Sequence, residues 1–155
     1  MSLRTRPVRR DDIPAIVAFT RNTFVWGDYV PDVIADWIEE DDAVTYVAVD
    51  PDDVPVGVAR GQLLSPAEVW YGAARVRSDR RGEGIAGDLA RALLDWSRRR
   101  GARVGRLLVE DWNEASHRQV AKSGMRPVAH VDRCTRTVGD ASPAPGGNGG
   151  RRLPA

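Results

Sequence analysis

Cysteine, histidine and lysine are scarce in this 155-residue chain, and each shortage removes a class of chemistry. Cys134 is the only cysteine, which excludes a disulfide framework and a cysteine-rich zinc site. The two histidines, His117 and His130, are too few and too isolated to suggest a metal centre. Lys122 is the only lysine, so almost all the positive charge is arginine. No apolar run approaches the ~18–20 residues of a membrane-spanning helix. The basic start, MSLRTRPVRR, leads into no apolar stretch of the kind a secretory signal carries. A reducing, cytoplasmic setting is therefore expected, with no metal and no membrane partner.

The length is one domain's worth, and 42% hydrophobic with 29% charged residues describes a soluble globular protein. Net charge is only +1, but its sign is unevenly spread. Between Arg21 and Arg60 there is no basic side chain, while Asp28, Asp32, Asp36, Glu39, Glu40, Asp41, Asp42, Asp50, Asp52 and Asp53 are acidic. From Arg75 to Arg106 ten arginines face only Asp79, Glu83, Asp88 and Asp95. Such runs form either two solvated faces or two sites, an anionic ligand on the basic half and a cationic one on the acidic half. No nucleic-acid motif or aromatic–basic interleaving accompanies the arginines, so nucleic acid is not an expected partner.

Arg4 to Arg10 reads as a first strand. Asp11 or Asp12 caps a helix with Pro14 in its first turn and Ile13, Ile16, Val17 and Thr20 on one face. An aromatic loop, Phe24 to Pro31, precedes a helix carrying Ile34, Trp37 and Ile38. Ala43–Val49, Val56–Leu64 and Glu68–Val76 read as strands. Ile85, Leu89, Leu93 and Trp96 mark an amphipathic helix ended by Gly101, with Asp88–Arg91 and Asp95–Arg99 as exposed pairs. Val104–Val109 reads as a buried strand, Asn113–Ser123 as a short helix closed by Gly124, and Met125–Arg136 as a final hairpin. From 139 to 155 the chain is rich in Gly and Pro and is expected to be a disordered tail on a domain spanning 1–138. The fold class expected is α/β (α+β), a single domain with a mixed, mostly antiparallel sheet flanked by helices.

The stretch RRGEGIAG, Arg80 to Gly87, contains a G-x-G-x-x-G, and Glu110 stands ~20 residues beyond it, as a ribose-binding acid would in a dinucleotide fold. The spacing upstream is wrong for that reading. Arg77 to Arg81, five polar residues, separate the strand end at Val76 from Gly82. The chain is also too short downstream for the repeated units of a dinucleotide crevice. No Gly-Lys-Ser/Thr follows, so this is not a nucleotide-triphosphatase loop either. Two readings remain: a glycine-rich turn before a helix, or a pyrophosphate cradle made by the amides of Gly82, Glu83, Gly84, Ile85, Ala86 and Gly87 at a helix N-terminus.

Val76 to Ala86 resembles the acyl-CoA signature of the GNAT superfamily of N-acyltransferases, Arg/Gln-x-x-Gly-x-Gly/Ala after a strand ending in valine. Arg81, Gly84 and Ala86 meet it, and Ser78 replaces the common proline. Asn113-Glu114-Ala115-Ser116 opening a helix, followed by Gly124, is similar to a second family element. The resemblance covers roughly residues 4 to 136 and implies a GNAT-like domain that uses acetyl-CoA as cosubstrate. It further implies that backbone groups of Ala74, Arg75 and Val76 pair with the pantetheine arm, and that Asn113 lies near that arm. Arg77, Arg80 and Arg81 could meet the nucleotide end.

Acyl transfer from a thioester to an amine needs a neutral amine, a donor for the developing oxyanion and a proton for the leaving thiolate. The Val76 amide is the candidate oxyanion donor and Glu68, on the strand face of Trp70, the candidate base. Where many family members carry tyrosine, this chain has Val120, so His117, one turn earlier, is the candidate acid, with Tyr71 a weaker alternative. The family builds its acceptor site from the first two helices and their loop, which here places Trp26, Asp28, Tyr29 and Trp70 as an aromatic–carboxylate pocket for a cationic amine. The implied function is direct acetyl transfer to a small amine, amino acid or peptide N-terminus. Val120 keeps a non-catalytic acyl-CoA-binding or regulatory module as the alternative. A homodimer is left open.

Overall fold

The computed structural model describes residues 3–25 and 27–132. Five strands lie side by side in chain order: β1 (Arg4–Pro7), β2 (Ala43–Val49), β3 (Pro55–Ser65), β4 (Glu68–Val76) and β5 (Val104–Arg106). Each of β1 to β3 is antiparallel to the next, and β5 runs parallel to β4, so the sheet is mixed and mostly antiparallel. The helices are α1 (Ile13–Thr20), α2 (Val30–Trp37), α3 (Ile85–Arg99) and α4 (Glu114–Lys122). None of them is long and apolar enough to cross a membrane.

Strand alternation sends successive side chains to opposite faces, and both faces are buried. On one face Val47, Val49, Val58 and Ala73 pack with Ile16 of α1 and with Val30 and Ile34 of α2. On the other, Ala48, Val56, Ala59, Val69 and Tyr71 pack under Ile85, Leu89 and Leu93 of α3. The i, i+4 recurrence in α3 forms this apolar stripe, and Leu89 is 1% exposed, so Leu89→Ala would cost about 2–5 kcal/mol. Gly57 of β3 permits the close approach of α3: a β-carbon there would stand 2.8 Å from Ile85 Cγ2.

Arg6 of β1 fixes the start of α1. Its Nη1 and Nη2 donate to the Asp12 carboxylate at 2.7 and 2.9 Å, and its Nε donates to Asp53 at 2.9 Å. Burial pushes the Asp12 carboxyl upward, but the Arg6 hydrogen bonds, the Arg9 amide and the two positive charges outweigh it and hold it below the ordinary range.

Several expectations are corrected. β1 ends at Pro7, and a 3-10 turn, Arg10–Asp12, leads into α1. β5 ends at Arg106 and is exposed, not buried. It pairs only with Glu68–Trp70, and among the described residues its outer edge has no strand partner. Met125 to Asp132 form no strand, and the rest of the expected hairpin lies outside the described residues, as does the expected Gly/Pro-rich tail. Asp95 pairs with Arg98 rather than Arg99, whereas Asp88–Arg91 forms as expected.

Candidate functional site

After β4 the chain makes a 3-10 turn, Ser78–Arg80, and reaches the glycine loop. Gly82 (φ +86°) and Gly84 (φ +82°) are left-handed, a conformation costly for any side chain, and Gly84 caps α3. The Gly87 and Asp88 amides donate back to the Gly84 carbonyl at 2.9 and 3.1 Å. The five preceding amides, Gly82 to Ala86, donate to no protein acceptor among the described residues. A β-carbon on Gly82 or Gly84 would meet nothing within 4 Å, and Gly82, Glu83 and Gly84 are exposed, whereas Ile85 is buried and Ala86 half-buried.

The loop's arginines divide into two kinds. Arg80 grips Glu83 through two bonds of 2.7 and 2.8 Å, which holds the Glu83 carboxyl below its usual value, and Arg77 donates to Asp79 at 2.7 Å. Arg81 makes no side-chain bond among the described residues and is exposed. A cleft of about 550 Å³ adjoins it, between α1 (Ala15, Ala18, Phe19) and the loop entry (Val76, Arg77, Arg81).

The outer edge of β4 beside this loop is unpaired. β5 covers only Glu68, Val69 and Trp70, leaving the stretch to Val76 without a strand partner among the described residues. The Arg77 amide donates to the Val56 carbonyl, and Val76 lies opposite Gly57. By the alternation of an antiparallel ladder, the backbone polar groups of Val76 then point away from β3, into the gap. Arg75 lies opposite Val58, so its backbone faces β3 and not the gap, contrary to the expectation that all three of Ala74, Arg75 and Val76 serve a pantetheine arm. Ala73 adopts φ +54° where the register shifts between Val58 and Arg60, a bulge in β4 that turns Ala73 into the core under α1 and α2.

Of the catalytic candidates, Glu68 and Val76 stand at opposite ends of β4, eight residues apart, about 26 Å at roughly 3.3 Å per residue. A base acts within hydrogen-bond reach or through one water, so the two cannot serve one reacting centre. Glu68 is instead paired with Arg106 of β5. Tyr71 faces α3, as alternation required, and its hydroxyl donates to Ser97 Oγ at 2.8 Å in the core. His117 and Val120 are half-buried on α4. Asn113 caps that helix, its Oδ1 accepting from the Ser116 amide at 3.1 Å.

On the acceptor side the expected cation pocket is filled from within. The Asp28 side chain is fully buried, and Arg75 Nε and Nη2 donate to it at 2.6 and 3.3 Å. Burial pushes this carboxyl up; the bonds from Arg75 and the Val30 amide, with the Arg75 charge, prevail and hold it low. The Arg75 guanidinium lies 4.9 Å from the Phe24 ring centre and 5.6 Å from that of Tyr29. The chain's own cation thus occupies the aromatic–carboxylate cage assigned to a substrate amine. Trp26 lies outside the described residues, and Trp70 is part-exposed on β4.

The same face carries residues that sequence reasoning missed. Tyr29 meets Trp37 edge-on at 6.1 Å, Arg60 stacks 4.7 Å over Trp37 and pairs with Glu40, and Phe24 meets Trp112 edge-on at 6.2 Å. The series Trp112, Phe24, Arg75, Tyr29, Trp37, Arg60 sets one guanidinium group after each pair of rings. Half of the acidic interval is consumed: Asp28, Glu39, Glu40, Asp42 and Asp53 each pair with an arginine. No local signal predicts these pairs, since Asp28 and Arg75 stand 47 residues apart.

No curated protein matches the sequence. Solved structures do match the fold. A transcriptional regulator from Bacillus halodurans C-125 superposes with a TM-score of 0.75 at 14% identity, covering 86% of this chain and 99% of its own. An aminoglycoside antibiotic 6'-N-acetyltransferase from Acinetobacter baumannii gives 0.71 at 12%, covering 88% and 99%. A ribosomal-protein alanine N-acetyltransferase from Escherichia coli gives 0.69 at 18%, covering 81% and 79%. Residues 13–125 match the acetyltransferase (GNAT) family, a span that holds the glycine loop, the open edge of β4 and the capped start of α4. The chain belongs to the GNAT acetyltransferase family.

Proposed function

We propose that this chain transfers an acetyl group from acetyl-CoA to the primary amine of a small molecule, amino acid or peptide N-terminus. The observation that carries the reading is the exposed glycine loop, where the amides of Gly82, Glu83 and Gly84 have no protein acceptor among the described residues, beside the unpaired edge of β4. Amides at a helix N-terminus suit a pyrophosphate, with the helix dipole adding about half a positive charge. The outward groups of Val76 suit an extended pantetheine arm laid on β4 as an extra strand. Bound acyl-CoA would supply the thioester, and Arg81 a free guanidinium for its anionic end.

In the transfer the amine lone pair attacks the thioester carbon, the carbonyl oxygen gains charge, the C–S bond breaks, the thiolate takes a proton and the ammonium loses one. The Val76 amide is the oxyanion donor of this reading, because it points away from β3. His117 is the candidate proton donor to the thiolate, directly or through water. Glu68 is not proposed as the base: its distance from Val76 along β4 and its pairing with Arg106 speak against it.

One observation favours a second reading, an acyl-CoA-binding module without catalysis. Val120 stands at the family's tyrosine position, and the phenol of Tyr71 is sealed against Ser97. Thermal-shift measurement with acetyl-CoA and with NAD tests the cofactor: acetyl-CoA should stabilise the chain, and selective stabilisation by NAD would overturn the proposal. Thiol release with a panel of primary amines then separates enzyme from module. His117→Ala should slow release without weakening acetyl-CoA binding, and unchanged turnover would remove His117 from the mechanism.

A further inference from the structure

We infer that the acceptor side of this chain excludes polycations and takes a monoamine with an apolar, aromatic or branched, body. This deepens the acyltransferase reading and rests on it, since it names the class of amine that would reach the open end of β4.

A site that selects cations needs aromatic faces and an unspent carboxylate. Here both are spent. Arg75 occupies the space over Phe24 and Tyr29 and neutralises Asp28; Arg60 occupies the face of Trp37 and neutralises Glu40. Both guanidinium groups are buried side chains, 13% and 8% exposed, so neither swings freely out of its seat. An incoming ammonium would meet fixed positive charge with its counter-ions already engaged, in surroundings where like charges repel far more than in water. A polycation would suffer this at each of its charges.

What this face still offers is apolar surface. A pocket of about 420 Å³ is lined by Thr23, Phe24, Val25 and Trp112. Val25 is 100% exposed and Trp112 is 57% exposed, so two large apolar side chains border a concavity instead of filling the core. Phe24 joins the pocket to the clamp: Trp112 meets its ring edge-on and Arg75 lies over its face. Thr23 lines both this pocket and the cleft that reaches Val76 and Arg81, making the two spaces neighbours. An apolar amine seated against Phe24 and Trp112 would direct its nitrogen toward that cleft. Among the described residues no carboxylate lines either space, and the amine must lose its proton before it attacks.

Calorimetric titration of the full chain with phenethylamine and with spermidine, in the presence of CoA, tests the inference independently of turnover. Phenethylamine should bind at least tenfold more tightly than spermidine. Trp112→Ala should weaken phenethylamine at least fivefold without changing spermidine, with circular dichroism and urea unfolding confirming that the variant folds. Arg75→Gln, which vacates the cage while keeping a hydrogen bond to Asp28 within reach, should strengthen spermidine at least tenfold. Spermidine binding the unmodified chain as tightly as phenethylamine would overturn the inference. So would binding of neither amine, or an unchanged phenethylamine affinity in Trp112→Ala. Failure of acetyl-CoA to bind or to release thiol with any amine would count instead against the acyltransferase reading.

Discussion

Just beyond the C-terminal end of β4, the amides of Gly82, Glu83 and Gly84 stand on an exposed loop and donate to no protein acceptor among the described residues. At the start of α2, the two oxygens of the buried Asp28 carboxylate draw on three donors: Arg75 Nε and Nη2 and the Val30 amide. The glycine loop leaves donors unspent where a ligand can reach them, and the acceptor side spends its charges internally. Unsatisfied backbone groups at a helix N-terminus remain solvated at little cost until an anion displaces the water. A buried carboxylate cannot wait in that way, because leaving it unpaired in a low-dielectric site costs several kcal/mol. Open amides can therefore receive ligand charge, as the acyl-CoA proposal requires, and a saturated carboxylate marks structure.

The largest expected effect follows from breaking the saturated side. Asp28→Ala leaves the Arg75 guanidinium buried without its counter-ion and should cost roughly 3–5 kcal/mol of stability. Urea unfolding of the variant against the parent chain measures it, and a loss below 1 kcal/mol would contradict the buried-clamp description. The same pair sets a pH dependence. Asp28 and Asp12 both have carboxyls held below their unfolded values, so folding binds fewer protons than the unfolded chain as pH falls through that range. Their contribution is fully present above the ordinary carboxylate pKa and is lost as pH falls toward the depressed values. Urea midpoints should accordingly fall on acidification below about pH 4, and Asp28→Asn should show a shallower fall than the parent chain.

Breaking the open side has a different signature. Gly84→Val forces a β-branched residue to φ +82° and places methyl groups in the space before the amides. Strain of about 1–3 kcal/mol should appear in urea unfolding. Acetyl-CoA affinity should fall about 100-fold, near 2.7 kcal/mol. Calorimetry on the folded variant distinguishes the two losses. An unaltered affinity would show that the open space is not where the cofactor sits.

The two sides also differed in how far they could be read from sequence. The glycine loop is local: Gly82 and Gly84 both need positive φ, and the residues that separate them from Val76 fall within one short segment. The alternation that points Tyr71 toward α3 is equally local, and that placement holds. The acceptor cage was misread because its cation comes from Arg75, far along the chain, and composition alone makes Asp28 look available. β5 was misread for a related reason. VGRLLV has the composition of a core strand, but whether it is buried depends on what lies beyond its outer edge. The bulge at Ala73 carries no sequence mark at all, since alanine is an uncommon choice for φ +54°.

The smallest effect sharpens the comparison within the loop itself, where neighbouring arginines differ only in whether they are already paired. Arg81 has no partner among the described residues, while Arg80 holds Glu83 in a two-bond pair. Arg81→Gln removes an uncommitted charge from an exposed position, so stability should change by no more than about 0.5 kcal/mol. Acetyl-CoA affinity should fall about three- to tenfold, some 0.6–1.4 kcal/mol, and the loss should shrink as salt screens the interaction. Arg80→Gln removes the same formal charge but frees the Glu83 carboxylate beside the amides, so its penalty should include repulsion and should also diminish with salt. Arg80→Gln with Glu83→Gln removes the pair together and should return affinity to within about twofold of the parent chain, roughly 0.4 kcal/mol. Calorimetry at two salt concentrations reads all three. If the double variant binds as weakly as Arg81→Gln, then Arg80 also reaches the ligand, and pairing does not decide which arginine serves it.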